Sequence, residues 1–506
     1  MTARILDELK QQAARATGPG IAPMPTIILG GVDPLGLRQI NFDLMDEVLP
    51  GLNNVARHIR PFVVVAWAWR RATQIAQQSG KKRIEVDLLR DFVDRIEVIY
   101  GWSQFLKNPA ADLPGRDVLR PLLKVDLYTF AGEAWKKRRE AREDSTAFLA
   151  AINYGPALKS MGWLHSHPED SKLMIADEYI QPALSAFEKT IAADLDHPAF
   201  SKLGKVTVTK AEATKWGKAW AIEKYSKAEQ KAFEEALLGA RSPKARQLGM
   251  KLVIAASKSS HGADVGQVRR RMSGGPPRLK NSTEHQITIM NWRRVQVRQL
   301  FRFCLESMLF WAIAQLQDSA APTSKLVSKF LKHTKISPSV RTTAKWLQKH
   351  YDPSTGPVEL IEQLESAHQE ERWEPLAVAI TQALAFCMLT ELEQGQVVER
   401  PDRLPISRAR TECAQRFYMK PAEFMKHIFE SWILAQHVYW SVGRGLADAR
   451  ARGKSILRLK VVLEDGGWAL APGVTYGSLP VPTADRLQTA LSLAYECGLI
   501  DEAPKI

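Results

Sequence analysis

The sequence predicts a mainly α protein, built of stacked multi-helix domains and ending in a small β-hairpin followed by a helix. Apolar residues recur at three- and four-residue spacing over most of the chain, and glycine or proline interrupts each stretch. The stretches with this helical spacing are 48–78, 84–100, 175–195, 227–239, 286–317, 360–392 and 421–451. Strand patterns are few, at 26–29 and 205–208, so helices should dominate the fold.

The C-terminal hairpin is predicted from alternation followed by a turn. Arg458, Lys460 and Val462 alternate with Leu459, Val461 and Leu463, and Asp465-Gly466-Gly467 would turn the chain toward a second strand at Trp468 and Leu470. We expect a final helix capped by Thr483 and ended by Gly498.

The chain length and the positions of glycine- and proline-rich stretches predict five segments. A chain of 506 residues, 45% of them hydrophobic, has room for roughly two to four domains. We expect an N-terminal helical domain over 1–112, a central helical domain over 113–256, a basic flexible loop over 257–282, a long-helix domain over 283–400, and a C-terminal helix with the hairpin-helix module over 401–506. The loop is predicted because its segment is polar, rich in glycine and poor in core-forming residues.

Composition favours a reducing compartment. The four cysteines lie far apart and include no CxxC pair, which is typical of free thiols in a cytoplasmic protein. The longest apolar run, 62–69, is far shorter than the roughly twenty residues that a membrane span needs. Residues 1–10 lack the apolar region of a signal peptide. We therefore expect a cytoplasmic bacterial protein without a membrane partner.

Positive charge is concentrated in one segment. The formal net charge is +15, and residues 241–302 hold fourteen Lys and Arg but only two acids, a local charge of +12. A charge cluster attracts a polyanion, whereas dispersed charge mainly keeps a protein soluble. Nucleic acid, with DNA as the first candidate, is therefore the expected partner.

The expected phosphate contacts lie on the loop and on the helix after it. Thr283 and Gln286 have the spacing of a capping box that would start this helix, and arginines then recur every four residues along it. The predicted nucleic-acid-binding residues are Arg269, Arg270, Arg271, Arg278, Lys280, Arg293, Arg294 and Arg298. Arginine suits phosphate because its planar fork donates two parallel hydrogen bonds. The alternatives are a solvated face, on which Arg302 pairs with Glu306, and an acidic protein partner.

A histidine pair raises the possibility of a metal site. The sequence MGWLHSHP at 161–168 resembles the core of the zinc-dependent JAMM isopeptidases, in which two alternate histidines and an aspartate hold zinc. The resemblance implies a serine eight residues after His167 and an aspartate eleven after it, but Ile175 and Glu178 occupy those positions. We therefore expect a helix-capping turn around His165 and His167, and no metal, cofactor or catalytic residue.

A compact motif marks the N-terminal region. Asp33-Pro34-Leu35-Gly36 is followed by L-P-G-x-x-N-x-x-R at 49–57, which predicts a turn at Gly51, a helix cap at Asn53 or Asn54, and then an aromatic helix. Trp67 and Trp69, two residues apart on this helix, should have different surroundings. Arg57 and Arg60 are expected to pair with Asp33 and Glu47, or else to form a binding pair.

The motif resembles that of uncharacterised bacterial proteins found in restriction and phage-defence islands. The resemblance implies a mostly helical accessory subunit that works beside nucleases, helicases or ATPases, and it supplies no catalytic residues. Our first hypothesis is a non-catalytic, nucleic-acid-binding subunit of a bacterial antiviral defence complex. The alternatives are a defence nuclease with an unrecognised acidic site, a protein-only scaffold and, more remotely, a zinc isopeptidase-like site at His165 and His167.

Overall fold

The computed structural model describes most of the chain and shows a mainly helical fold. The described residues are 33–78, 85–140, 154–168, 173–260, 262, 264–279, 282–337, 339–390, 403–452, 458–474 and 479–505. Within them the strands form only two-stranded antiparallel sheets, so the predicted fold class is confirmed. The predicted strand at 26–29 lies outside the described residues.

The first half of the chain holds eleven of the described α-helices and four of the described strands. The helices are α1 (Arg38–Asp46), α2 (Ile59–Gln78), α3 (Val86–Lys107), α4 (Arg116–Leu119), α5 (Glu133–Glu140), α6 (Gly155–Ser160), α7 (Gln181–Thr190), α8 (Pro198–Ser201), α9 (Lys210–Ala219), α10 (Lys227–Leu238) and α11 (Lys244–Ser259). The strands are β1 (Leu127–Phe130), which pairs with β4 (Val206–Thr209), and β2 (Leu164–Ser166), which pairs with β3 (Met174–Ala176).

The second half is helical up to the C-terminal hairpin. Its helices are α12 (Val265–Gly274), α13 (Thr283–Gln315), α14 (Thr323–His333), α15 (Thr343–His350), α16 (Pro357–Gln369), α17 (Trp373–Leu389), α18 (Ile406–Ala414), α19 (Pro421–His427), α20 (Gln436–Arg452) and α21 (Leu487–Glu496). A π-helical stretch (Ile428–Ala435) joins α19 to α20. The predicted hairpin is confirmed as β5 (Val461–Glu464) and β6 (Gly467–Leu470).

Two large hydrophobic cores are joined by helix α13, which also contributes Val295 to a small third cluster with α1. The first core contains residues between 48 and 292 together with α21, and the second contains residues between 297 and 461 together with Leu35 and Leu37. Trp292 of α13 lies in the first core, whereas Val297 and the apolar residues after it lie in the second. At about 1.5 Å per residue, α13 is roughly 50 Å long, so one continuous helix connects the cores.

Trp67 and Trp69 have different surroundings, as expected. Trp67 is fully buried, and its indole N–H donates to the Glu188 carboxylate at 2.8 Å. Its ring packs edge-on against Phe187 and Phe200. Trp69 is only half-buried at the border of the first core.

The segment predicted as a flexible loop, 257–282, is largely helical, so that expectation was wrong. Helix α11 continues to Ser259, and α12 follows after a turn. The Asp264 carboxylate accepts a hydrogen bond from Gln267 N at 2.7 Å and caps α12. Val268 and Met272 of α12 are fully buried, which means that two apolar residues four positions apart anchor an otherwise polar segment. The capping box expected for α13 is also wrong, because Ser282 holds the N-cap position without a side-chain cap.

The hairpin and the final helix pack against different cores. Trp468 of β6 exchanges two backbone hydrogen bonds of 2.9 Å with Ala321, at the second core. Leu487 and Leu491 of α21 are buried in the first core. The predicted cap of α21 was wrong: Arg486 holds the N-cap position, while the Thr483 hydroxyl accepts a hydrogen bond from Arg38 Nε at 3.2 Å.

Gly51 makes the tight turn that its sequence predicted. Its φ is +75°, in the left-handed region that favours glycine. An added Cβ would overlap the Ser160 side chain and stand 2.6 Å from Arg246 Nη2. Gly162 has a similar φ of +69° but open space around its Cα. A comparison of substitutions at Gly51 and Gly162 therefore distinguishes backbone strain from steric overlap.

We expect Gly51→Ala to destabilise the protein more than Gly162→Ala does, by about 1–3 kcal/mol. Both substitutions place a side chain at positive φ, but only the first forces the Ser160 and Arg246 side chains to move. Urea unfolding followed by tryptophan fluorescence measures the difference. Equal losses of stability in the two variants would show that the close packing at Gly51 contributes nothing.

Candidate nucleic-acid interface

Two of the three adjacent arginines on α12 form ion pairs within the protein. Arg269 Nε lies 2.6 Å from Oδ2 of Asp485, a carboxylate that is only 7% exposed. Arg270 Nη2 lies 2.6 Å from Oε2 of Glu362 on α16. Arg271 is exposed on the remaining side of the helix. These contacts connect α12 to its neighbours, so a nucleic acid would have to compete for Arg269 and Arg270.

Asp485 stays charged despite its burial. Burial alone would raise the pKa of its carboxyl group, but the charge and hydrogen bond of Arg269 and a hydrogen bond from Gln296 lower it. A buried charge of this kind depends on its partner, because removing one member leaves the other unpaired in a medium of low polarity.

The arginine row of α13 points mostly into the protein. Arg298 is 3% exposed, and its guanidinium donates to the carbonyl oxygens of Leu404 at 3.0 Å and Arg403 at 3.2 Å. Arg302 is also buried, 2.6 Å from Glu306 Oε2. The expected pairing with Glu306 is confirmed, but on a buried face rather than a solvated one. Arg298, predicted as a phosphate contact, is therefore not at the surface.

The other predicted contacts differ in exposure. Arg278 and Arg293 are exposed. Arg294 is half-buried, and its guanidinium donates to Asn291 Oδ1 at 3.0 Å. Lys280 lies outside the described residues. The exposed cations among them are thus Arg271, Arg278 and Arg293.

Sequence reasoning missed a row of lysines on α11. Lys244, Lys251 and Lys258 are seven residues apart, which is almost two helical turns, so they share one exposed face. Lys244 lies 3.1 Å from Glu284 on α13, but both side chains are more than half exposed, so this pair is weak. Burial is the main cause that lowers the pKa of His285, and the charges of Lys251 and Lys244 lower it further. Both ammonium groups therefore lie beside the start of α13. We name these three lysines the α11 face.

The Asp33–Gly36 motif is a docking point for α20. The Asp33 carboxylate accepts hydrogen bonds from the amides of residues 37 and 38 and so caps α1. The next three carbonyls accept side-chain hydrogen bonds: Pro34 O from His437 Nδ1 at 2.8 Å, Leu35 O from Gln436 Nε2 at 3.0 Å, and Gly36 O from Arg403 Nη1 at 3.3 Å. An added Cβ on Gly36 would overlap the Trp440 ring. Glycine is needed there because the indole packs against the backbone.

The arginines of the second motif have other partners than those expected. Arg60 is 1% exposed and lies 3.0 Å from Glu229 Oε1, which is fully buried. Arg57 pairs with Asp112 at 3.2 Å. The expected partners, Asp33 and Glu47, were wrong because the acids that pair with Arg57 and Arg60 come from segments far apart in the sequence. The structural interpretation of Arg60 is supported, since its guanidinium cannot reach a ligand from the core.

Neither asparagine of this motif caps the aromatic helix α2, so that expectation was wrong: Asn53 acts locally and Asn54 through a distant contact. Asn53 Oδ1 accepts from the amides of Val55 and Ala56, at 2.9 and 2.7 Å, and so caps a turn that precedes the helix. Asn54 Oδ1 accepts from Arg486 N at 2.9 Å, at the start of α21. The motif therefore joins the turn before α2 to the C-terminal helix.

His58 joins the same turn to α21. Its Nδ1 lies 2.6 Å from Glu496 Oε1, while the other oxygen of Glu496 accepts from Ile59 N at 2.7 Å and caps α2. Burial alone would lower the pKa of His58, but hydrogen bonds and charges of Asp112 and Glu496 outweigh burial and raise its pKa to about 9. His58 is therefore a charged link between the two ends of the first core.

His165 and His167 lie at a β-hairpin and not at the expected helix-capping turn. His165 Nε2 is 2.9 Å from Asp177 Oδ2, and the other oxygen of Asp177 is 3.1 Å from Arg241 Nη1. The amide of His167 donates to Leu173 O at 2.9 Å. Among the described residues, which exclude 169–172, no group of three or more His, Cys, Asp or Glu is placed to hold a metal.

No protein-family model, no curated protein and no solved structure matches this chain. In the described part of the chain, no helix has both the length and the apolar character needed to cross a membrane. The function must therefore be argued from the residues themselves.

Arg269→Ala should destabilise the protein by roughly 1–3 kcal/mol, because it leaves the buried Asp485 carboxylate without its cation. Arg271→Ala is the matched control, since this exposed neighbour should change stability by less than about 0.5 kcal/mol. Urea unfolding of both variants provides the measurement. Two equally stable variants would mean that Arg269 is a solvated side chain.

His58 should make stability depend on pH. Because its pKa is raised from about 6.5 in the unfolded chain to about 9 in the folded protein, its stabilisation is complete below pH 6.5 and is lost as the pH rises through 9. We expect the free energy of unfolding to fall more steeply over this interval in the parent than in His58→Asn. Parallel pH profiles would contradict the assignment.

Proposed function

We propose that this protein binds nucleic acid, with DNA as the first candidate, mainly through phosphate contacts at the α11 face. The observation that carries the proposal is the exposed lysine row Lys244, Lys251 and Lys258 beside the start of α13. Arg278 and Arg293, which flank this start in the sequence, are also exposed. Lysine is a flexible point charge, which suits contact with a phosphate backbone better than selection of a base.

Binding of this kind has a characteristic strength and salt dependence. Phosphate contacts alone give dissociation constants of roughly 10⁻⁴ to 10⁻⁶ M at physiological salt. Each cation that touches a phosphate releases a counterion, so affinity falls steeply as salt is added. The paired arginines Arg269 and Arg270 are not assigned to the interface, because phosphate would have to displace their carboxylate partners.

We further propose that the protein serves as a non-catalytic subunit of a bacterial antiviral defence complex in the cytoplasm. The support is the resemblance of the Asp33–Gly36 and 49–57 motifs to defence-island proteins, together with the exposed cations that a nucleic-acid partner would use. A defence nuclease and a protein-only scaffold are the alternatives. Cleavage of DNA or RNA by the purified protein would favour the first, and absence of nucleic-acid binding would favour the second.

Replacement of Lys244, Lys251 and Lys258 by Gln should weaken duplex DNA binding and flatten its salt dependence. If all three touch phosphate, the slope of log affinity against log salt should shrink by about 2.7, at roughly 0.9 for each contact. Fluorescence anisotropy with a labelled duplex over a range of salt measures both quantities.

The control removes the same charge elsewhere. Lys202, Lys205 and Lys218 are exposed lysines on or near β4 and α9, and their triple replacement by Gln should leave the slope unchanged. All six side chains are exposed, so both variants should fold like the parent. If the two triple variants bind alike, the proposed interface at the α11 face is wrong.

A further inference from the structure

A second basic run occurs in the second half of the chain. Between Asp318 and Asp352 there are seven Lys or Arg residues and no Asp or Glu. They are Lys325, Lys329, Lys332, Lys335, Arg341, Lys345 and Lys349. This run is shorter than the basic segment at 241–302, but no acid within it can neutralise its charge.

The run folds so that every one of these cations stays at the surface. Phe330 of α14 and Trp346 of α15 are fully buried in the second core, and Ile336 and Val340, between the two helices, pack partly buried against it. All seven basic residues are exposed on these helices or on the turn between them. In the part of the chain that the structure describes, Lys335 pairs with Glu374 at 3.3 Å, and this pair is too exposed to hold the lysine firmly. The charge is therefore available to a ligand, unlike that of Arg269 or Arg298.

An exposed aromatic residue is held at the start of α15, the helix that carries Lys345 and Lys349. Met419 O accepts from Thr343 N at 2.8 Å, and Phe417 O accepts from Ala344 N at 3.1 Å, which fixes the loop 417–419 against the start of α15. Between these two anchors, Tyr418 is 93% exposed. A buried role for its ring is thus excluded, although the backbone on either side is held in place.

Cations beside an exposed aromatic ring are what a single-stranded nucleic acid requires. Its phosphates attract the cations, and an unpaired base can stack on an aromatic face, whereas the bases of a duplex are already stacked on each other. An acidic protein or an anionic membrane would be attracted by the same lysines. Neither an acidic protein nor an anionic membrane would need an exposed aromatic ring among the lysines.

We propose that α14, α15 and Tyr418 form a second binding face, which takes single-stranded nucleic acid. The lysines and Arg341 contact the phosphates, and a base stacks on the Tyr418 ring. This second face shares no residue with the α11 face, and its preference for unpaired bases goes beyond the phosphate binding proposed there.

Tyr418→Ala should weaken the binding of a labelled oligo(dT) by about five-fold or more, as expected for the loss of one stacked base. The salt slope should stay the same, because tyrosine carries no charge. Tyr418→Trp should restore the affinity, since indole also stacks. Tyr439→Ala is the matched control, because this α20 residue is likewise exposed, at 61%.

Replacement of Lys329, Lys332, Lys345 and Lys349 by Gln should flatten the salt slope for oligo(dT) by up to about 2.8, at roughly 0.7 for each contact with a single strand. The Gln variant of Lys244, Lys251 and Lys258 separates the two proposals, because the effect of Tyr418→Ala on oligo(dT) should persist in it. An unchanged affinity of Tyr418→Ala overturns the stacking role. An unchanged slope of the four-lysine variant overturns the second face.

Competition tests the other ligand classes. Polyglutamate and vesicles of anionic lipid offer the same charge as a nucleic acid but no base to stack on. We expect each to displace oligo(dT) weakly and to do so equally well from the parent and from Tyr418→Trp. If either binds the second face more tightly than oligo(dT) does, the ligand is an acidic protein or a membrane surface and the proposal fails.

Discussion

The fold depends on a row of buried polar side chains on α13 that holds the chain segment crossing between the two cores. Gln296, Gln299 and Arg302 are all nearly inaccessible to solvent and stand three residues apart. They donate, in order, to Asp485 Oδ2 at 3.2 Å, Thr483 O at 2.7 Å and Val481 O at 2.6 Å. Steps of three residues along the helix thus match steps of two along the segment. Buried polar groups are costly without partners, so this pairing fixes the register of the crossing segment.

The same requirement explains why a basic segment does not amount to a basic surface. Arg246 and Arg298 are buried and donate to backbone carbonyls, while Arg269 pairs with Asp485, 216 positions away in the sequence. Charge counting along the sequence cannot detect such partners, because the acids and carbonyls come from distant parts of the chain. It overestimated the free charge of 241–302. Charge counting also failed to identify 319–351, where the cations are fewer but all exposed.

Local patterns predicted the helices and the hairpin because their signals lie within one or two turns of chain. Composition failed at 257–282, where buried Val268 and Met272 suffice to anchor a helix in a polar context. The N-terminal motif shows the limit most clearly. Its sequence correctly indicated a turn at Gly51, where φ is positive, but it could not show that the motif's carbonyls bind α20 or that Arg60 pairs with Glu229. Those contacts depend on how the helices pack. Two local signals were left unused: the seven-residue spacing of the α11 lysines and the basic run at 319–351, which contains no acid.

The two proposed faces belong to different cores. The buried side of α11 packs in the first core, and α14 and α15 pack in the second. Because α13 passes through both cores as one helix, the folded structure and not a flexible linker sets the distance between the faces. A nucleic acid long enough to reach both would bind the second face at a high effective concentration, and a shorter one would gain nothing from the pair. Length dependence is therefore the property that would distinguish two cooperating faces from two independent ones.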